Sequence, residues 1–182
     1  MTGVALAEEL LLLAYDDESG KVTGSSIGLD LGMTAAVLVE LTLARRIGCF
    51  GGTIVVTDPT PTGYRIDDEV LTRMAAETPH TPSSWVQRLR HGLRGRVLAD
   101  LVSRGIVRDV GETALGFIRM HRYPVADPTV EREVRQRLTA VLTGQEKPDE
   151  RTAALAAVLA AARIETRLDG AAPDAARQRL AE

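Results

Sequence analysis

The stretch from Leu29 to Ile47 constrains this chain most: LDLGMTAAVLVELTLARRI. Wound as a helix it is apolar almost all the way round, and such a helix has to be buried. Glu40 interrupts it. At 100° per residue Glu40 falls among Leu29, Met33, Ala36, Ala44 and Ile47, on an apolar arc. A carboxylate there needs a partner or a raised pKa. Gly48 is read as the end of the helix.

Helices surround this one in the reading of the remaining chain. Ala5–Tyr15 is predicted to be a first helix, with Glu8 and Glu9 in its early turns, where the helix dipole favours acids. A turn follows at residues 16–20. Thr53–Thr57 has the β-branched content of a short strand. Asp67 is a candidate cap for a helix reaching about Glu77. Thr81 or Ser83 opens another, with Trp85 in its first turns. Gly92 and Gly95 split that segment into two pieces, the second running from Leu93 to Arg104. Ile106–Tyr123 reads as a β-hairpin. Asp127-Pro128 is a strong helix start, and that helix extends to Gly144. Pro148 opens an alanine-rich helix and Pro173 a short last one. The expected fold class is mainly α: one globular helical domain over residues 1–182, with short strands and a protruding hairpin. A chain of 182 residues fits one domain with one core.

Several classes of function are disfavoured. No apolar run approaches the roughly 18 residues of a membrane span, and no secretory leader is visible. A single cysteine, Cys49, excludes an internal disulfide framework, so a cytoplasmic location is expected. His80, His91 and His121 are not paired at metal-ligand spacing, so no metal and no cofactor are expected. Nucleophile-elbow, phosphate-loop and dinucleotide-binding motifs are missing, which favours a binding protein over an enzyme. Asp67, Asp68 and Glu69 are adjacent and point different ways on a helix, so they read as N-terminal helix charges.

Charge directs attention to one segment. Net charge is −3, yet residues 1–84 carry −7, residues 85–126 carry +5 and residues 127–182 carry −1. Arg88, Arg90, Arg94, Arg96, Arg104 and Arg108 face a single acid, Asp100, in the stretch from Trp85 to Arg108. Guanidinium forks suit phosphate oxygens. On a wheel from Leu93, Arg94 falls inside the arc of Leu93, Val97, Leu98, Leu101 and Val102, whereas Arg96 falls outside it. An arginine so placed meets a carboxylate (Glu40 is one candidate), meets a ligand phosphate, or snorkels to water. A basic helix, a glycine and a two-stranded wing also describe a winged-helix nucleic-acid binder. The acidic whole and the few polar readers on the helix make nucleic acid the weaker partner.

An ordered set of short motifs narrows the choice. Glu8-Glu9-Leu10-Leu11-Leu12-Leu13 precedes Gly20. Gly32 leads to Glu40-Leu41-x-Leu43-x-x-Arg46-Ile47. Arg94-x-Arg96, Leu101-Val102-x-Arg104-Gly105-Ile106 and Pro124 follow. With these gaps the chain resembles the Golgi phosphoprotein 3 family along most of its length, as a bacterial-type member. The resemblance implies a mostly helical fold with a protruding hairpin. It implies a peripheral protein that binds an anionic phospholipid headgroup, as eukaryotic members bind phosphatidylinositol 4-phosphate. It also implies a place on the inner face of a membrane.

The family's headgroup pocket uses a tryptophan before the central helix, an arginine within it, and two arginines three apart in the later helix. Ser25 and Thr34 stand at the first two positions here. Arg94 matches one of the later pair, His91 stands at the other, and Arg90 is adjacent. The candidate headgroup residues are therefore Arg94, Arg90 and His91. The family also continues into a further C-terminal helix, where this chain ends at Glu182. In the hairpin, Leu115, Phe117 and Ile118 are candidates for membrane or homo-oligomer contact, beside Arg119, His121 and Arg122. A hairpin-paired oligomeric scaffold without a lipid ligand is the remaining alternative.

Overall fold

The computed structural model describes residues 3–16, 19–114 and 118–164, with backbone alone at 112–114 and 118–120. The elements are α1 (Leu6–Ala14), α2 (Ser26–Leu43), β1 (Ile47–Phe50), β2 (Thr53–Val56), α3 (Arg65–Ala76), α4 (Pro82–Leu89), α5 (Leu93–Ser103), β3 (Val110–Ala114), β4 (Ile118–Arg122), α6 (Pro128–Leu142) and α7 (Glu150–Ala162). Among the described residues, seven helices and two separate antiparallel strand pairs make a mainly helical domain. The two pairs are β1–β2, with Ile47 opposite Val56, and β3–β4, with Val110 opposite Arg122.

The centre of the molecule is a helix pair. Every residue of α1 is buried, and the helix is walled by α2, α5, α6 and α7. Four consecutive leucines, Leu10 to Leu13, can all be buried only when a helix is surrounded. α2 runs beside α1 with half of its residues buried. By length and composition it could cross a membrane, but here it is a core helix packed on α1, α3, α4, α5 and α7. The pair is antiparallel. The Leu6 amide, at the start of α1, donates to Glu40 near the end of α2 at 2.8 Å.

Small residues set how closely α7 crosses α2. A Cβ on Gly28 would lie 2.5 Å from the Ala162 carbonyl oxygen. One on Gly32 would lie 2.8 Å from the Ala162 Cβ and 3.1 Å from Leu10. Gly28→Ala is therefore expected to destabilise the fold by about 1–3 kcal/mol. This outweighs the gain of roughly 1 kcal/mol that alanine brings to a helix interior. A urea midpoint equal to or above wild type would contradict the close crossing.

Most predicted boundaries hold. Thr81 caps α4, Gly92 (φ 74°) separates α4 from α5, and Asp127 caps α6 with Pro128 at its first position. Three differ. α2 ends at Leu43, because Arg45 turns the chain at φ 58° and Ile47 is taken into a strand with Val56. α7 starts at Glu150 rather than at Pro148, because the Asp149 side chain accepts the Thr152 amide at 2.6 Å. Asp67 does not cap α3. The helix begins at Arg65 after Tyr64, which leaves Asp67 at its third position, within the first turn and wholly buried. The helix expected at Pro173 lies outside the described residues, as do Leu115 and Phe117. Ile118 pairs through its backbone with Ala114.

Candidate headgroup site and the two ends of the helix pair

At the start of α1, buried charge holds the core together. Glu8 folds back on the Ala5 amide at 2.9 Å and accepts Arg104 at 2.8 Å. Glu9 accepts Arg137 at 2.5 Å and Arg151 at 3.2 Å. Glu40 takes Arg151 on both oxygens, at 2.6 and 2.7 Å. Arg151 also donates to the Val4 carbonyl at 2.6 Å. Burial pushes Glu8 and Glu9 above the ordinary carboxylate range, against the pull of these arginines. The partner of Glu40 is thus Arg151 and not Arg94. Glu8, Glu9, Glu40 and Arg104 carry much of the family resemblance, and in three dimensions they close the first turn of α1.

Asp67 borders the same cluster without joining it. It is fully buried, and neither carboxylate oxygen has a hydrogen-bond partner. Burial raises its pKa to about 8, and Glu40, Glu8 and Asp68 add to the rise while Arg151 opposes it.

Arg94 sits at the opposite end of α1 and α2. Its Nε lies 2.9 Å from one oxygen of Asp30, and its Nη2 lies 3.1 Å from the other. Both edge nitrogens thus face the carboxylate, with Nη2 donating a hydrogen bond to it. Tyr15, just past the end of α1, lies close enough to Arg94 for the guanidinium to pull its pKa down against burial. Burial raises the Tyr15 pKa, so this phenol stays neutral at neutral pH. Of the sequence candidates, Arg90 ends α4, and its Nε is buried with no hydrogen-bond partner. His91 is exposed in the turn between α4 and α5. Gly92 supplies the left-handed residue of this turn, two positions before Arg94. Ser25 caps α2, accepting the Gly28 amide at 3.1 Å. Thr34 is buried, and its hydroxyl donates to the Asp30 carbonyl at 2.9 Å.

The hairpin starts from this same end. Tyr15 meets Tyr123 edge to face at 6.1 Å, and Tyr123 stacks on His121 at 6.4 Å. His121 contacts Asp109 at 2.8 Å. Gly20, at φ 61°, brings the turn after α1 against the hairpin base. A Cβ there would lie 2.8 Å from the Tyr123 nitrogen. Arg94, Tyr15, Tyr123 and His121 thus form one continuous run of side chains from α5 to β4.

The positive patch expected from Trp85 to Arg108 is mostly neutralised from outside the stretch. Arg88 pairs with Glu77 at 3.1 Å, Arg96 with Glu69 at 3.2 Å, and Arg104 with Glu8 and Asp100. An open cleft of about 510 Å³ lies elsewhere, along α6 between Glu133, Arg137 and Glu146. Among the described residues, no group of three or more histidine, cysteine or acidic side chains is arranged to hold a metal ion. Sequence reasoning missed Asp30, Tyr15 and Arg151. Arg151 carried a usable signal, since it lies three, four, seven and eight residues before Ala154, Leu155, Val158 and Leu159, on the inner stripe of α7.

Comparison with known proteins agrees with this architecture. The family model described as Golgi phosphoprotein 3 (GPP34) matches residues 6–182. The chain is similar to vacuolar protein sorting-associated protein 74 of Eremothecium gossypii, at 26% identity over 163 residues. That match covers 76% of this chain and 49% of the relative. It is similar to the protein of the same name from Schizosaccharomyces pombe, at 23% identity over 167 residues, covering 78% of this chain and 49% of the relative. The chain spans about half the length of these curated relatives. A family match from α1 onward, on a helical domain whose charged core is built from the shared motif residues, places the chain in the Golgi phosphoprotein 3 family.

Proposed function

We propose that this protein is a peripheral membrane-surface protein that binds an anionic phospholipid headgroup at Arg94, by binding rather than catalysis. The observation that carries the reading is the position of Arg94. It is 25% exposed at one end of the helix pair, a few positions along the chain from Arg90 and the exposed His91. It is also linked through Tyr15 and Tyr123 to the hairpin that would meet the same bilayer. Basic residues near an anionic surface contribute about 1 kcal/mol each. Two or three of them give weak, salt-sensitive attachment, which the apolar residues Leu115, Phe117 and Ile118 at the hairpin would strengthen. The two relatives are named for vacuolar protein sorting, and a surface-attached protein suits that description.

The nucleic-acid reading fares worse. Arg96 in α5 and Arg104 just past its end are each held by an acid of another element. A duplex backbone needs such cations uncommitted.

Liposome co-sedimentation tests the proposal. Wild type is expected to pellet with phosphatidylglycerol or cardiolipin vesicles and to stay in solution with neutral ones. Arg94→Gln is expected to weaken anionic binding by roughly five- to tenfold. Equal pelleting with neutral and anionic vesicles would overturn it.

A further inference from the structure

Asp30 is the carboxylate partner of Arg94. Its two oxygens take the Nε and Nη2 edge of Arg94, the same edge a phosphate would take side-on. An incoming headgroup is left with the end-on fork of Arg94. Both partners are partly exposed, at 25% and 29%, so the pair stands at the mouth of the site and not in the core. The pair also differs from the ion pairs at the start of α1, where the carboxylates Glu8, Glu9 and Glu40 are almost wholly buried.

We infer that Asp30 sets the charge and chemistry of the headgroup the Arg94 site accepts: a singly charged phosphodiester carrying hydroxyl groups. This rests on the headgroup-binding reading above. A phosphate on the end-on fork of Arg94 lies within a few ångströms of the Asp30 carboxylate. A phosphodiester brings one negative charge, and Arg94 offsets it. A phosphomonoester brings nearly two, and the second is repelled by Asp30 at short range. The same carboxylate, acceptor-only when ionised, rewards a ligand that brings a donor. A polyol headgroup supplies hydroxyls to the free lone pairs of Asp30 while its phosphate meets Arg94. Thr34, one turn further along α2, spends its hydroxyl on the Asp30 main-chain carbonyl. A neutral threonine adds no second cation to favour a dianion.

The test uses vesicles of phosphatidylcholine carrying either phosphatidylglycerol or phosphatidic acid, with the two anionic lipids matched in surface charge. Wild type is expected to favour the phosphatidylglycerol vesicles by several-fold. Asp30→Asn keeps the size of the side chain and removes its charge, and it is expected to raise binding to phosphatidic acid by about fivefold or more. The preference should then vanish or reverse. Asp30→Ser is the second variant, with helix content checked by circular dichroism, and should act in the same direction. Arg94→Gln should lose both lipids. An unchanged lipid ratio in both Asp30 variants, with Arg94→Gln still weakened, would overturn the selectivity inference and leave the headgroup site standing. Failure of wild type to bind either vesicle would overturn both.

Discussion

Arg151→Met should destabilise the fold by about 3–5 kcal/mol, measured as the loss of unfolding free energy in urea at neutral pH. Arg151 is the only described partner of the Glu40 carboxylate apart from the Leu6 amide, and it shares Glu9 with Arg137. Glu40 and Glu9 are 6% and 3% exposed. Removing the cation leaves one carboxylate without a counter-charge in the core and a second half-served. The Val4 carbonyl loses its donor too. The double variant Arg151→Met with Glu40→Leu should recover part of the loss, since a buried pair replaced whole costs far less than one broken. A single variant within about 0.5 kcal/mol of wild type would show that the cluster does not hold the start of α1.

Asp67→Asn should stabilise the protein at alkaline pH, by several kilocalories per mole above pH 8 and little near pH 4. The sign follows from which state binds the proton. The carboxyl titrates near 3.8 when unfolded and at about 8 in the fold. Between those values the folded state keeps a proton that the unfolded state has lost. Stability therefore falls as pH rises through this window, by up to about 1.4 kcal/mol per pH unit, and levels off above it. The cause is burial first, with Glu40, Glu8 and Asp68 around it and Arg151 as the opposing charge. Asparagine never ionises, so the variant should show a flatter dependence on pH. Urea midpoints at pH 5, 7 and 9 give the comparison directly. Parallel curves for wild type and Asp67→Asn would mean that Asp67 has a solvated or paired environment.

These residues show how far the sequence carries. Arg94 and Glu40 were identified because charged residues stood on apolar arcs, and both are ion-paired at the molecule's interior edge. The same rule applies to Asp67, three, four and seven residues before Val70, Leu71 and Met74. Its place near a helix start suggested a cap and concealed the inward stripe. The partners were not legible. Arg94 finds Asp30 from 64 positions away and Arg151 finds Glu40 from 111. Several acids could satisfy each arginine, and only the antiparallel packing of α1 on α2 decides between them. Strand β1 was hidden for a different reason. Ile47-Gly48-Cys49-Phe50 continues the apolar run of α2, and only pairing with Thr53–Val56 separates it. At the candidate site, Arg90 and His91 were placed beside Arg94 by chain proximity. Tyr15 and Asp30 were brought there by tertiary packing.

On the proposed reading, the Arg94 end of the helix pair faces the membrane. Hydrogen–deuterium exchange on wild-type protein with and without phosphatidylglycerol vesicles tests it most directly. The other end of α2 offers a rival surface. There Phe50, 62% exposed, tops the β1–β2 hairpin, about 27 Å along an 18-residue helix from the start of α2. The account predicts protection in residues 15–30, in the turn at 88–94 and at the base of the β3–β4 hairpin, with no change at 47–56. Protection confined to 47–56, with the Arg94 turn exchanging as it does in solution, would contradict it.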